Sequence, residues 1–168
     1  AFQATTVTLS SNYYVVASYP KLVAVDLVGD DFKIIEFKIT NPSTTNTLRA
    51  DSFAYVANAT TTGDLYGKVA DVYVNNNPQV ATLTVAANGS FTFDSPLEIA
   101  PGSDVTVKVQ LQTPYIASPA NGTRTRNFTI DNLGFTQVFS DASTQTIASI
   151  GLGYQASAGL KLQANKTY

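Results

Sequence analysis

The sequence predicts an all-β fold, an immunoglobulin-like Greek-key β-sandwich with an extended N-terminal strand. A closed barrel is the competing architecture. Three observations carry the prediction. Apolar and polar residues alternate with period two over most of the chain, and no segment shows the spacing of an amphipathic helix. Clusters of Gly, Pro, Asn, Asp and Ser punctuate the runs at intervals suited to many short strands. With 168 residues, 44% of them hydrophobic, the chain can fill one core, and it has no cysteine to reinforce it.

The elements follow in chain order. Residues 1–12, AFQATTVTLSSN, are uncharged and β-prone, with small or β-branched side chains on both phases. Such a stretch either forms an ordinary first strand or extends away to complete another molecule's sheet, which divides the chain into a 1–12 tail and a 13–168 sandwich domain. Tyr13, Tyr14 and Tyr19 lie at that junction. A strand is expected over 22–28, then a turn at Gly29-Asp30-Asp31. Next come Ile35, Phe37 and Ile39 inward, with Glu36 and Lys38 outward. Lys33 shares the phase of Ile35 and Phe37, a position open to a Lys–Asn isopeptide crosslink. After the Asn41-Pro42-Ser43 turn, strands are expected over 52–57 and 69–74, with a turn at Asn75-Asn76-Asn77-Pro78.

Leu83 and Val85 lead through Ala86-Ala87-Asn88-Gly89 into Phe91 and Phe93, which reads as an Asn-Gly hairpin. Pro101-Gly102-Ser103 then launches the clearest alternation of all, Val105, Val107, Val109 and Leu111. Beyond a turn at Pro119-Ala120-Asn121-Gly122, further strands are expected over 127–130, 134–139, 145–155 and 159–163.

Composition narrows the function. Charged residues are 13%, against about 25% in ordinary soluble domains, and Thr, Ser and Asn take their place. A surface of hydroxyls and amides changes little with pH or salt and suits a harsh or acidic exterior. Net charge is −2, and the basic residues are scattered apart from Arg124 and Arg126. No nucleic-acid or anionic-lipid partner is expected. No apolar run reaches the length of a membrane helix, so no membrane span is expected. The chain opens at Ala1-Phe2-Gln3 without Met, which reads as a secreted protein whose signal peptide has been cleaved.

With neither His nor Cys, a Ser-His-Asp triad, a Cys-His dyad and a His-based zinc centre are all impossible. The two glutamates, Glu36 and Glu98, stand in no distinctive context for paired-carboxylate chemistry, and there is no Trp for a sugar to stack on. The chain is therefore not expected to be an enzyme or to carry a cofactor. Loop oxygens at Asp30-Asp31, or around Asp71 and Asn75–Asn77, offer calcium positions, but turn-forming residues of these types explain themselves.

Five Asn-x-Ser/Thr sequons stand at Asn58, Asn88, Asn121, Asn127 and Asn165, while Asn41-Pro42-Ser43 is blocked by its proline. Random placement of this chain's Asn, Ser and Thr would give roughly 2.5. N-linked glycans are the expected modification, which again points outside the cell.

The segments IIEFKITNPSTTNT (34–47) and LEIAPGSDVTVKVQL (97–111) are similar to sandwich domains of prokaryotic surface proteins. With its β-prone tail and dispersed sequons, the whole chain resembles subunits of archaeal extracellular filaments. These are the crenarchaeal thread and bundling-pilus proteins, related in fold to the camelysin-type biofilm fibres of bacteria. The resemblance implies polymerisation by donor-strand complementation, in which one subunit's N-terminal strand fills its neighbour's groove. The donor here would be 1–12, with Phe2, Val7 and Leu9 as plugs. The partner would be the chain itself, as a head-to-tail homopolymer on the cell surface supporting adhesion, biofilm or cell–cell contact. The alternatives are a surface-layer or cell-envelope sandwich domain, or a carbohydrate-binding adhesin module.

Overall fold

The computed structural model describes residues 20–60, 65–115, 124–139, 142–151 and 162–167, the side chains of 145–151 excepted. These residues form two antiparallel sheets packed face to face, the predicted sandwich. The strands are β1 (Lys21–Asp26), β2 (Lys33–Thr40), β3 (Thr47–Ala59), β4 (Val69–Val74), β5 (Asn77–Thr84), β6 (Asn88–Ile99), β7 (Asp104–Leu111), β8 (Thr125–Val138), β9 (Thr144–Gly151) and β10 (Leu162–Thr167). The first sheet runs β1-β2-β7-β4-β5 and the second β10-β8-β3-β6. β9 and β10 lie end to end along one edge of β8, β9 against Asn132–Val138 and β10 against Thr125–Ile130. Most ladders join strands distant in sequence, β2 with β7 and β3 with β8, as a Greek-key chain path requires.

Alternation builds the core. Val105, Val107, Val109 and Leu111 of β7 are all buried, and so are Leu22, Ile35, Phe37 and Ile39. Phe37 meets Phe53 edge to face across the sandwich at 6.1 Å, and Phe53 packs on Phe91 at 5.6 Å and Phe93 at 5.9 Å. Tyr55 stacks on Phe128 at 4.8 Å.

Three expectations are corrected. The first concerns the proposed hairpin around Asn88-Gly89, because β5 belongs to the first sheet and β6 to the second, so the link crosses the sandwich. Asn88 already pairs with Val56, and the left-handed turn residues lie instead at Asn75 (φ 48°) and Asn76 (φ 66°), between β4 and β5. Gly89 serves close approach: a Cβ there would stand 2.8 Å from the Tyr55 hydroxyl and 3.0 Å from its ring. That phenol donates to Thr84 O at 3.2 Å and accepts from Ala86 N at 3.1 Å, pinning the crossover.

The second correction is at 127–130 and 134–139, which form the single strand β8, bent by bulges rather than broken. The third concerns Lys33. A bulge between Lys33 and Ile35 buries both Ile34 and Ile35, breaks the phase and turns the Lys33 ammonium toward Asp26 and Glu36, at 2.8 and 3.3 Å.

The two sequence segments that carry the family resemblance meet in space. Asn41 N donates to Ser103 O at 2.9 Å, and Gly102 N donates to Asn41 O at 3.1 Å. The buried Asn41 side chain donates to Asn46 O at 2.8 Å and Ile99 O at 2.9 Å, and accepts from Ser43 N at 3.0 Å. One amide thus locks both turns at one end of the sandwich.

Candidate functional site

The chain's surface chemistry sits at its sheet edges and on the outer face of the second sheet. An unpaired strand edge exposes a row of N–H and C=O groups, which folded proteins usually block. Among the described residues the first sheet ends at β5 on one side and at β1 on the other, and the two edges differ.

The β5 edge is stoppered. Asp94, from a bulged stretch of β6, accepts Val80 N and Ala81 N on its two carboxylate oxygens, while Asp94 N donates to Gln79 Oε1 at 3.0 Å. Pro78 removes one further donor from β5. A carboxylate on backbone amides blocks the approach of another strand with charge as well as bulk.

The β1 edge has no such cover among the described residues. β1 pairs with β2 along one side only, and its far end is tied to the second sheet by Asn165 N donating to Leu27 O at 3.0 Å. Val23 and Val25 are 44% and 49% exposed. Ala24 is the register partner of the buried Phe37, which puts it on the inward phase, yet it is exposed. Among the described residues, then, no strand covers the space between the sheets beside β1.

The corner around this edge is rigid. Asp26 Oδ1 accepts Val28 N and Gly29 N, both at 2.9 Å, and Asp30 Oδ1 accepts Phe32 N at 2.8 Å and Lys33 N at 2.6 Å. The Lys33 ammonium on Asp26, helped by the Gly29 amide, holds that carboxyl down to about 2, and the same contact raises the Lys33 pKa. The Lys33 amide likewise lowers Asp30. The buried Arg126 reaches across from β8, donating to Asp30 O and to Lys33 O at 2.8 Å, with its guanidinium over the Tyr115 ring at 5.7 Å. A Cβ on Gly29 (φ 65°) would collide with Lys33 O and crowd Arg126, so this turn needs glycine. An ionised Asp26–Lys33 pair of this kind is a salt bridge, not a neutral amine poised to condense with an amide.

Four sequon asparagines lie on the outer face of the second sheet. Asn58, Asn127 and Asn165 form one row across β3, β8 and β10, in direct register. Asn88 sits on β6 opposite the exposed Val56. Asn127 Nδ2 donates to Asn165 Oδ1 at 2.6 Å and its Oδ1 accepts Thr129 Oγ1 at 3.1 Å, while Asn58 Oδ1 accepts Ala59 N at 2.8 Å. A second row, Thr60, Thr125 and Thr167, runs beside it, with Thr60 and Thr125 hydroxyls 2.7 Å apart. The two rows line an open groove of about 530 Å³. Asn121, Tyr13, Tyr14, Tyr19 and the donor residues Phe2, Val7 and Leu9 lie outside the described residues.

The remaining sequence candidates do not converge. Glu36 is engaged by Lys33 on the first sheet, and Glu98 by Arg49 at 2.8 Å on the second. Asp71 Oδ1 accepts Gln112 Nε2 at 2.7 Å, and Asn75 Oδ1 accepts Thr106 N at 2.9 Å, so both oxygens are used in structure. Among the described residues no cluster of three or more His, Cys, Asp or Glu could hold a metal, and no helix is long and apolar enough to cross a membrane.

No family model matches this chain. No curated protein is detectably similar to it either. What the chain does must therefore be read from its own edges and faces. Two of the residues that matter most were missed in the sequence. Arg126 shares the phase of Phe128 and Ile130, which was a readable sign of burial. Asp94 gave no sign, because its role exists only once β6 of the second sheet is brought against the edge strand β5 of the first.

Proposed function

We propose that the chain is the structural subunit of an extracellular filament, a thread or pilus of the kind found on archaeal cells. It polymerises head to tail by donor-strand complementation and supports adhesion, biofilm or cell–cell contact. In this reading it is exported, carries N-linked glycans, and has no catalytic role and no cofactor. The observation that carries the reading is the contrast between the edges: β5 is blocked by Asp94, whereas among the described residues β1 has a ladder partner on one side only and its inward-phase Ala24 is exposed.

A strand added along β1 satisfies its free backbone groups by β-augmentation and covers the space between the sheets. Residues 1–12 of a second copy have the right character, uncharged and β-prone, with Phe2, Val7 and Leu9 to fill the gap. Burying three such side chains yields roughly 5–8 kcal/mol before ordering costs. Donor and acceptor are different surfaces, so the contact does not close on itself and repeats into an open fibre.

Deleting residues 1–12 should leave a folded, non-polymerising subunit that binds the excised peptide in trans, as read by electron microscopy and size-exclusion chromatography. Val23→Lys with Val25→Lys should likewise stop growth without unfolding the domain, since both positions are exposed. Normal filaments from the truncated chain would remove the N-terminal donor. Normal filaments from the double lysine variant would remove β1 as acceptor.

A further inference from the structure

The asparagine row distinguishes among the sequons in a way their sequences do not. Resting on the reading of an N-glycosylated exported subunit, the geometry points to Asn58 and Asn165 as the modified residues of the row and to Asn127, between them, as an unmodified spacer.

Directly opposed residues on neighbouring strands have Cβ atoms about 4.5–5.5 Å apart, and Asn127 is in register with both Asn58 and Asn165. An N-linked glycan is bulky, and three side by side would have to share one strand spacing each. The two outer positions are about 9.6 Å apart, two strand spacings, which gives each glycan its own space.

Hydrogen bonding agrees with the spacing. N-linkage replaces a hydrogen on the amide nitrogen with a sugar carbon and leaves the carbonyl as an acceptor. Asn58 Oδ1 and Asn165 Oδ1 accept the bonds these side chains make, from Ala59 N and Asn127 Nδ2, so a sugar on either nitrogen leaves both contacts intact. Asn127 differs because its own nitrogen is the donor in the 2.6 Å bond to Asn165. Left bare, it holds the Asn165 amide plane in place for the glycan. The Thr60–Thr125–Thr167 row and the groove beside it then lie beneath the two sugars, on the face turned away from the first sheet.

The test is glycopeptide mass spectrometry on the full chain purified from the cells that make it, and on the Asn58→Gln, Asn165→Gln double variant. The wild type should show sugar mass on the Asn58 and Asn165 peptides and none on the Asn127 peptide. In the double variant the sugar mass should appear on Asn127, because its neighbours no longer crowd it. Sugar on Asn127 together with either neighbour in one wild-type molecule would overturn the spacer assignment, as would a bare Asn127 in the double variant. A wild-type chain with no sugar on any peptide would instead overturn the glycoprotein reading and this inference with it.

Discussion

Replacing Asn41 with alanine tests whether one amide locks the sandwich end. The wild-type side chain is 2% exposed and makes three hydrogen bonds, to Asn46 O, Ile99 O and Ser43 N. Alanine deletes all three and leaves their partners behind. The contacts to Ile99 O and Ser43 N are buried, and each orphaned group costs about 1–3 kcal/mol; water can partly satisfy Asn46 O. The sum is about 3 kcal/mol. In a domain of this size that is a fall in Tm of roughly 6–12 °C, measured by thermal circular dichroism and by urea midpoints. Asn41→Asp sharpens the test. Aspartate keeps the acceptor for Ser43 N but sets a carboxylate oxygen against two carbonyl oxygens, so at neutral pH it should be at least as harmful as alanine. Below its own pKa it regains one donor and should recover part of the loss. A cost under about 1 kcal/mol for alanine, or wild-type stability for aspartate at neutral pH, would refute the lock.

Two further outcomes are expected. Gly89→Ala keeps the Asn88 sequon but drives a methyl into the buried Tyr55 phenol, and should cost about 1–3 kcal/mol in urea unfolding. An unchanged midpoint would mean that the ring can move aside. The Asp26 carboxyl is held at about 2 in the folded protein against an ordinary 3.8. Its contribution is therefore complete above the unfolded value and is lost as pH falls toward 2. The pair is partly open to solvent, so screening leaves it worth about 0.5–1 kcal/mol. Asp26→Asn should be less stable by that amount at neutral pH and equal to wild type near pH 2, measured by urea titration at both; a constant difference across pH would exclude this origin.

Much of the architecture was legible because alternation is a local signal. The phases of β2 from Ile35 onward and of β7 could be read directly, since their inward residues are apolar and their outward ones are not. The failures share a physical cause. Asn88-Gly89 looked like a turn, but its glycine is required by the ring of Tyr55, a residue 34 positions earlier in the chain. Lys33 kept its sequence phase with Ile35 only until a bulge inserted one residue, and no local pattern announces a bulge. The asparagine row is the clearest case. Asn58, Asn127 and Asn165 are scattered through the sequence, and only the register of β3, β8 and β10 makes them neighbours.

Several of the chain's few charges gather at the turn that anchors the proposed acceptor edge. Lys33 engages Asp26 and Glu36, Lys166 approaches Asp31 at 3.6 Å, and Arg126 binds two carbonyls of the β1–β2 turn. An edge strand with one ladder partner would ordinarily fray, and a frayed acceptor must be ordered at the moment a donor arrives, which weakens the joint. Anchoring the end of β1 through its turn keeps the open edge in strand geometry before any partner binds. Strong acid cannot easily release that anchor. Arg126 is a permanent cation bound to backbone carbonyls, which do not titrate in this range, and the Asp26 carboxyl stays ionised down to about 2. The rest of the surface is mostly amide and hydroxyl, with few charges to lose. A filament built from such joints should hold at acidities that protonate ordinary surface carboxylates, and the same corner explains how: its cation-to-carbonyl contacts persist after its ion pairs weaken.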